Sequence, residues 1–169
     1  MSYTKPDGQP QGVAVYFTNK IREALIAEVV AINQYEEHIA NSDMTEVNEV
    51  WNHIIQDEKD HYGMFLTLLR KYDPTQYQKY LFHKDDTFQP SPMQSYQPDY
   101  SKNLILGNIR SDIKGEFEAV VLYEQLILEM PFQDMKDTFH NVVTAEKEHA
   151  EHLTKLLLSL DKQKYNELT

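Results

Sequence analysis

The chain of 169 residues is 41% hydrophobic and carries a formal net charge of −11, enough for one globular domain with a sizeable core. The negative balance disfavours nucleic acid and anionic membranes as partners and raises the local concentration of cations. The sequence has no cysteine, which excludes disulfides, thiolate-bound zinc, iron–sulfur clusters and thiol catalysis, so any redox chemistry must rest on oxygen and nitrogen ligands. No apolar run approaches the ~20 residues of a membrane span, and the opening MSYTKPDGQPQG lacks the basic and apolar parts of a signal peptide. A soluble, cytoplasmic protein is expected.

Residues 1–15 read as an N-terminal extension. From about Tyr16 the apolar residues Ile21, Leu25, Ile32 and Ile39 fall at steps of three and four, with Glu28 and Tyr35 in the missing places. This spacing predicts a helix whose buried stripe carries two polar insertions. A turn around Ala40 to Asp43 follows, where Asp43 can cap and Glu46 stands three residues on, as in a capping box. The second helix has the stripe Val47, Trp51, Ile54, Glu58, His61, Phe65, Leu68 and Tyr72, and Asp73-Pro74 ends it.

Residues 74–100 contain Pro90, Pro92 and Pro98 and read as an ordered connector with a short helical piece before Lys84. At ~3.3 Å per extended residue, about 25 residues span a bundle of ~35 Å, so this stretch can carry the chain from one end to the other. The third helix shows Ile109, Ile113, Glu116, Val120, Tyr123, Ile127 and Met130, closed by Pro131. The fourth starts near Asp134 and shows Met135, Phe139, Val142, Glu146, His149, Leu153, Leu156 and Leu160. Residues 162–169 form a tail. The expected fold is all-α: a four-helix bundle of two pseudo-symmetric hairpins, 16–73 and 101–161, joined by the crossover 74–100.

The two hairpins repeat each other at a distance of 88 residues: Glu28 recurs as Glu116, Ala31 as Ala119, Tyr35 as Tyr123, and Glu58-Lys59-x-His61 as Glu146-Lys147-x-His149. Each first glutamate stands 30 residues before its Glu-x-x-His partner, so each hairpin brings two carboxylates and one imidazole into the core. Buried carboxylates without partners cost several kcal/mol each. Four carboxylates and two neutral imidazoles instead balance two divalent cations. Residues three apart share a helix face, so Glu58 and Glu146 can bridge both ions while His61 and His149 each ligate one, with Glu28 and Glu116 as outer ligands. Mixed oxygen and nitrogen donors suit iron, with manganese or zinc as competitors.

Tyr35 and Tyr123 lie two turns along the stripe from the outer glutamates, where a phenol can bond a ligand carboxylate across the bundle or act as an electron donor. The first role is favoured. Glu36 and Glu124 also repeat but stand one step beyond the stripe, as solvated residues. His38, His53, His83, His140 and His152 have no repeated partner and read as surface or helix-edge residues. Met64, Met130 and Met135 read as core filler.

These motifs resemble the ferritin-like di-iron carboxylate superfamily, in particular the rubrerythrin, bacterioferritin and encapsulated-ferritin group, over residues 16–161. The resemblance implies a ferritin-like bundle with a di-iron centre that cycles between ferrous and ferric states, with O2 or H2O2 as oxidant. Rubrerythrins usually add a cysteine-ligated iron domain and a further glutamate one turn beyond the first in the third helix, where this chain has Ala119. Bacterioferritins place a haem-ligating methionine where this chain has Lys59, so haem is not expected. The expected activity is Fe(II) oxidation with O2 or H2O2. Its rivals are a peroxide reductase fed by an external electron-donor protein and a metal-binding module without turnover. A homodimer is a further expectation, given the many aromatic residues.

Overall fold

The computed structural model describes residues 16–89, 95–161 and 165. The expected N-terminal extension, 1–15, lies outside the described residues, as do 162–164 and 166–169 of the tail. The three-and-four spacing produces four long helices, α1 (Phe17–Ala40), α2 (Thr45–Tyr72), α4 (Lys102–Glu129) and α5 (Gln133–Leu160), with a short α3 (Pro74–His83) in the connector. The result is an all-α, ferritin-like bundle. α1 packs chiefly on α2 and α4 on α5, so each half is a helical hairpin, and the halves meet through α2 against α5 and α1 against α4.

Local chemistry sets the helix ends. Pro74 supplies the fixed φ of a first helical residue and the Asp73 carboxylate accepts the Gln76 N–H at 3.0 Å, so α3 starts directly after α2 stops. Arg22 ties this corner to α1 by pairing with Asp73 and donating Nε to Gln76 Oε1 at 3.1 Å. The expected Asp43 cap does not form. α2 begins one residue later than the capping-box spacing requires, with Met44 at the N-cap and no side-chain bond there. The turn is held by Ser42, whose hydroxyl accepts the Met44 N–H at 3.2 Å and whose carbonyl accepts Asn48 Nδ2 at 3.0 Å.

The two described parts of the connector lie at opposite ends of the bundle; residues 90–94, with Pro90 and Pro92 of the expected ordered connector, lie outside the described residues. Asp73 sits beside α1 at the end where that helix starts, whereas Tyr96 and the Asp99 N–H both donate to Asn41 Oδ1, at the opposite end. There α4 begins, with the Ser101 hydroxyl accepting the Leu104 N–H.

Two apolar clusters fill the interior. One, at the end where α1 begins, includes Ile21, Ala24, Phe65, Leu126, Met135 and Phe139. The other, at the end where α4 begins, includes Val47, Trp51, Ile54, Ile105, Ile109 and Leu153. The six polar residues of the repeat occupy the intervening mid-helix positions. Burying such clusters contributes roughly 25 cal/mol per Å² of apolar surface, and this supports a polar layer that would not hold itself together.

Candidate metal centre

Each long helix turns ligand-type side chains inward because the glutamates and histidines hold stripe positions where an apolar residue would otherwise stand. Glu28 comes from α1, Glu58 and His61 from α2, Glu116 from α4, and Glu146 and His149 from α5. All six are buried, none more than 4% exposed. Their ligand atoms form two groups, Glu28–Glu58–His61–Glu146 and Glu58–Glu116–Glu146–His149, in each of which the four atoms lie within 4.8 Å of one another. Glu58 and Glu146 belong to both groups. The two rings face the shared carboxylates: His61 Nδ1 lies 3.2 Å from Glu58 and 3.3 Å from Glu146, and His149 Nδ1 lies 3.3 Å from Glu58 and 3.4 Å from Glu146.

The donor set fits a pair of cations. Among the described residues only three buried side-chain polar atoms have no hydrogen-bond partner, and two of them, Glu58 Oε1 and His149 Nδ1, are in this cluster. They stand 3.3 Å apart without the geometry of a hydrogen bond to each other, and a cation between them would satisfy both. The charge inventory agrees, because four carboxylates match two divalent ions. These groups can hold a two-metal site.

Tyr123 donates its hydroxyl to Glu28 Oε1 at 2.6 Å, and Tyr35 donates to Glu116 Oε1, each reaching from one hairpin to the outer glutamate of the other. Burial, and then the carboxylate each one touches, pushes both phenols well above their ordinary range, so they stay protonated donors. Burial, followed by the nearby Glu58 and Glu146, also raises Glu28 well above the usual carboxylate range. Burial raises Glu116 likewise, with His149 opposing and the neighbouring glutamates adding to it. In Glu58 burial acts upward, but the adjacent His149 and His61 imidazoles overcome it and hold the carboxyl below its ordinary value. Burial opposes charge on His61, yet the bonds to Glu146 and Glu58 push it up to about 9, and His149 is raised further by Glu116, Glu146 and Glu58. Glu28, Glu116 and the two imidazoles thus hold protons more tightly than usual, and a metal must displace them.

Two features escaped the sequence reading. Asp57 accepts from His149 Nε2 at 3.2 Å, fixing that ring so that Nδ1 faces the carboxylates. Its counterpart 88 residues on is Ala145, so repetition gave no signal. The second is a correction: His38 is buried, 8% exposed, and is not a helix-edge residue. It lies 3.0 Å from Asp112, which also receives the indole N–H of Trp51 at 2.8 Å and Gln34 Nε2 at 2.9 Å. Desolvation forces each of these groups to take a polar partner. His53, His83, His140 and His152 are exposed as expected, and so are Glu36 and Glu124, which pair with Lys59 at 3.1 Å and Lys147 at 2.6 Å.

Four mid-bundle carboxylates and two imidazoles on a hairpin-crossover-hairpin frame define a ferritin-like protein of the carboxylate-cluster type. A family model described as Rubrerythrin matches residues 19–157. The chain belongs to the rubrerythrin family. Solved structures agree on the fold. A hypothetical protein from Pyrococcus furiosus aligns over 88% of this chain and 94% of its own at 19% identity, with a TM-score of 0.68. KatB, a manganese catalase from Anabaena, aligns over 100% of this chain and 86% of its own at 18% identity, with a TM-score of 0.63. A two-domain Anabaena variabilis protein with DJ-1/ThiJ/PfpI-like and ferritin-like domains covers 90% of this chain and 42% of its own at 10% identity, with a TM-score of 0.69. Comparison with curated proteins gives no match. No helix among the described residues is long and apolar enough to cross a membrane.

Proposed function

We propose that this protein oxidises Fe(II) with O2 or H2O2 at a non-haem two-iron site. The observation that carries the reading is the pair of four-residue ligand groups sharing Glu58 and Glu146. In it Glu58 and Glu146 would be shared by the two ions, Glu28 and Glu116 would be the outer carboxylates, and His61 and His149 would supply nitrogen. Iron suits this donor set, with manganese and zinc as competitors. A bound pair of ions supplies one-electron chemistry at each metal and a point of attachment for the oxidant.

The chain's own part is positioning and exclusion. Tyr123 and Tyr35 restrain the outer glutamates through one oxygen each, and Asp57 fixes the ring of His149. The apolar clusters on either side keep bulk water from the carboxylates. The balance is simple when Fe(II) is the substrate. Two Fe(II) give up two electrons; O2 with two protons leaves as H2O2, or H2O2 with two protons leaves as two waters.

Membership of the rubrerythrin family favours a second reading, reduction of H2O2 with electrons from an external donor. Against it, Ala119 packs on the apolar cluster and offers no additional carboxylate in α4. The test is an anaerobic Fe(II) titration followed by stopped-flow absorbance with O2 and H2O2 in separate runs. Saturation near two Fe(II) per chain and rapid oxidation support the proposal. Peroxide turnover with a reductase and no net Fe(II) consumption would transfer the conclusion to the second reading. Binding without oxidation would leave a metal-holding module, and no saturable binding would refute all three.

A further inference from the structure

Trp51, the chain's one tryptophan, is fully buried and donates its indole Nε1–H to Asp112 Oδ2 at 2.8 Å. His38 Nδ1 stands 3.0 Å from Asp112 Oδ1 and 3.1 Å from Oδ2, and Gln34 Nε2 donates to Oδ1 at 2.9 Å. The His38 ring lies 5.5 Å from the Trp51 ring and 6.5 Å from the Tyr35 ring, centroid to centroid. Tyr35 donates its hydroxyl to Glu116, an outer carboxylate of the candidate centre. Short steps thus connect an oxidisable indole to the ligand cluster.

Packing does not account for this network. Displaced by 88 residues, Trp51, His38, Gln34 and Asp112 correspond to Phe139, Leu126, Leu122 and Ala24, which pack together without any polar group. The desolvation of a buried carboxylate and imidazole costs several kcal/mol that the other end of the bundle avoids. The neighbours of the second phenol differ in the same sense. Tyr123 is flanked by Phe65 and Phe139, at 5.5 and 5.6 Å, and phenylalanine is hard to oxidise.

We propose that Trp51 is a one-electron donor to the metal centre, with Asp112 accepting its Nε1 proton and the His38 and Tyr35 rings bridging the gap. The inference rests on the iron chemistry proposed above. Reduction of H2O2 to water takes two electrons, and one Fe(II) gives one. In a site holding a single Fe(II), Trp51 supplies the other: Fe(II) becomes Fe(III), the indole loses an electron, and its N–H bond breaks. The proton passes to Asp112 Oδ2, and H2O2 with two protons from solvent becomes two waters. An external one-electron reductant then restores the indole, with Asp112 returning the proton. Burial pushes the Asp112 carboxyl up against the hydrogen bonds from His38, Gln34 and Trp51, which suits a proton acceptor. The relay spares the centre from releasing hydroxyl radical when it is half loaded.

The test loads the protein anaerobically with one Fe(II) per chain, adds H2O2, and reads electron paramagnetic resonance together with hydroxyl-radical trapping. A tryptophan-centred radical is expected in the wild type. It should be lost in Trp51→Phe, which should release more trapped radical; this variant introduces the residue that Phe139 already places at the equivalent position. A second arm needs no iron. Flash photo-oxidation of the metal-free protein by a soluble ruthenium(III) oxidant should give a neutral indolyl radical in the wild type and a longer-lived radical cation in Asp112→Asn. Fe(II) binding and peroxide turnover without a tryptophan radical, or the same radical in Trp51→Phe, overturn the relay and leave the iron chemistry standing. Deprotonation equally fast in Asp112→Asn removes Asp112 from the role. Loss of Fe(II) binding in the wild type overturns the iron reading and the relay with it.

Discussion

At the end of the bundle where α1 begins, Ala24, Leu122, Leu126 and Phe139 pack as an apolar group; at the end where α4 begins, the same four positions hold Asp112, Gln34, His38 and Trp51, joined by hydrogen bonds. The backbone frame is common to both ends, so the fold accepts either solution. The polar one is a property of this end alone. A similar difference separates the two imidazoles, because His149 has Asp57 behind it while the equivalent place behind His61 is Ala145. Symmetry governs the candidate ligands and the two phenols that bond the outer glutamates; asymmetry enters with Asp57 and with the Asp112 network.

The largest expected effect removes what the halves share. Glu58→Gln with Glu146→Gln should abolish binding of both Fe(II) equivalents in an anaerobic titration, because both residues belong to both groups, whereas Glu28→Gln should remove one. Next, Asp112→Ala alone leaves His38 and Trp51 without their acceptor and should destabilise the metal-free protein by about 3–5 kcal/mol. Combining it with His38→Leu and Trp51→Phe copies the apolar end, and urea unfolding should then show stability equal to the wild type or higher by about 1–4 kcal/mol.

The third expectation concerns pH. His61 is raised from an ordinary 6.5 to about 9, so its contribution to metal-free stability is complete below 6.5 and is lost as pH climbs through about 9. The urea midpoint should therefore fall across that window. Since the same proton competes with metal, affinity for Mn(II), used as a redox-stable probe, should rise over it. A rising midpoint in the metal-free protein would contradict the assignment. Asp57→Ala, which makes the two imidazoles alike, should weaken one equivalent by about 10–100-fold, as read by calorimetry. The smallest effect belongs to Lys59→Met and Lys147→Met, whose exposed pairs with Glu36 and Glu124 should contribute less than about 1 kcal/mol each and equally.

The sequence made the frame legible because the burial stripe and the repeat reinforce each other: Glu28 and Glu116, or His61 and His149, stand where an apolar residue would, twice. The same logic concealed the rest. Asp112 is four residues before Glu116 and His38 three after Tyr35, both on the stripe, but their counterparts are Ala24 and Leu126, so a search for repetition passes over them. Spacing alone could have found them. Asp57 lies beside Glu58 on the half-exposed flank of α2, and its role depends on how α5 approaches, which is a tertiary fact. The cap of α2 slipped by one residue because Ser42 satisfied the turn in place of Asp43.

The composition of the two ligand groups also bears on how the chain comes apart. Each group takes three residues from one hairpin and a single glutamate from the other. A metal held there would act as a reversible cross-link between the halves as well as between the two helices of one half. Its binding free energy therefore falls on the separation of the hairpins, by mass action. The connector keeps the two halves at high effective concentration, and the metal converts that proximity into resistance to opening. Loading should lengthen the lifetime of the docked state more than it stiffens an individual helix.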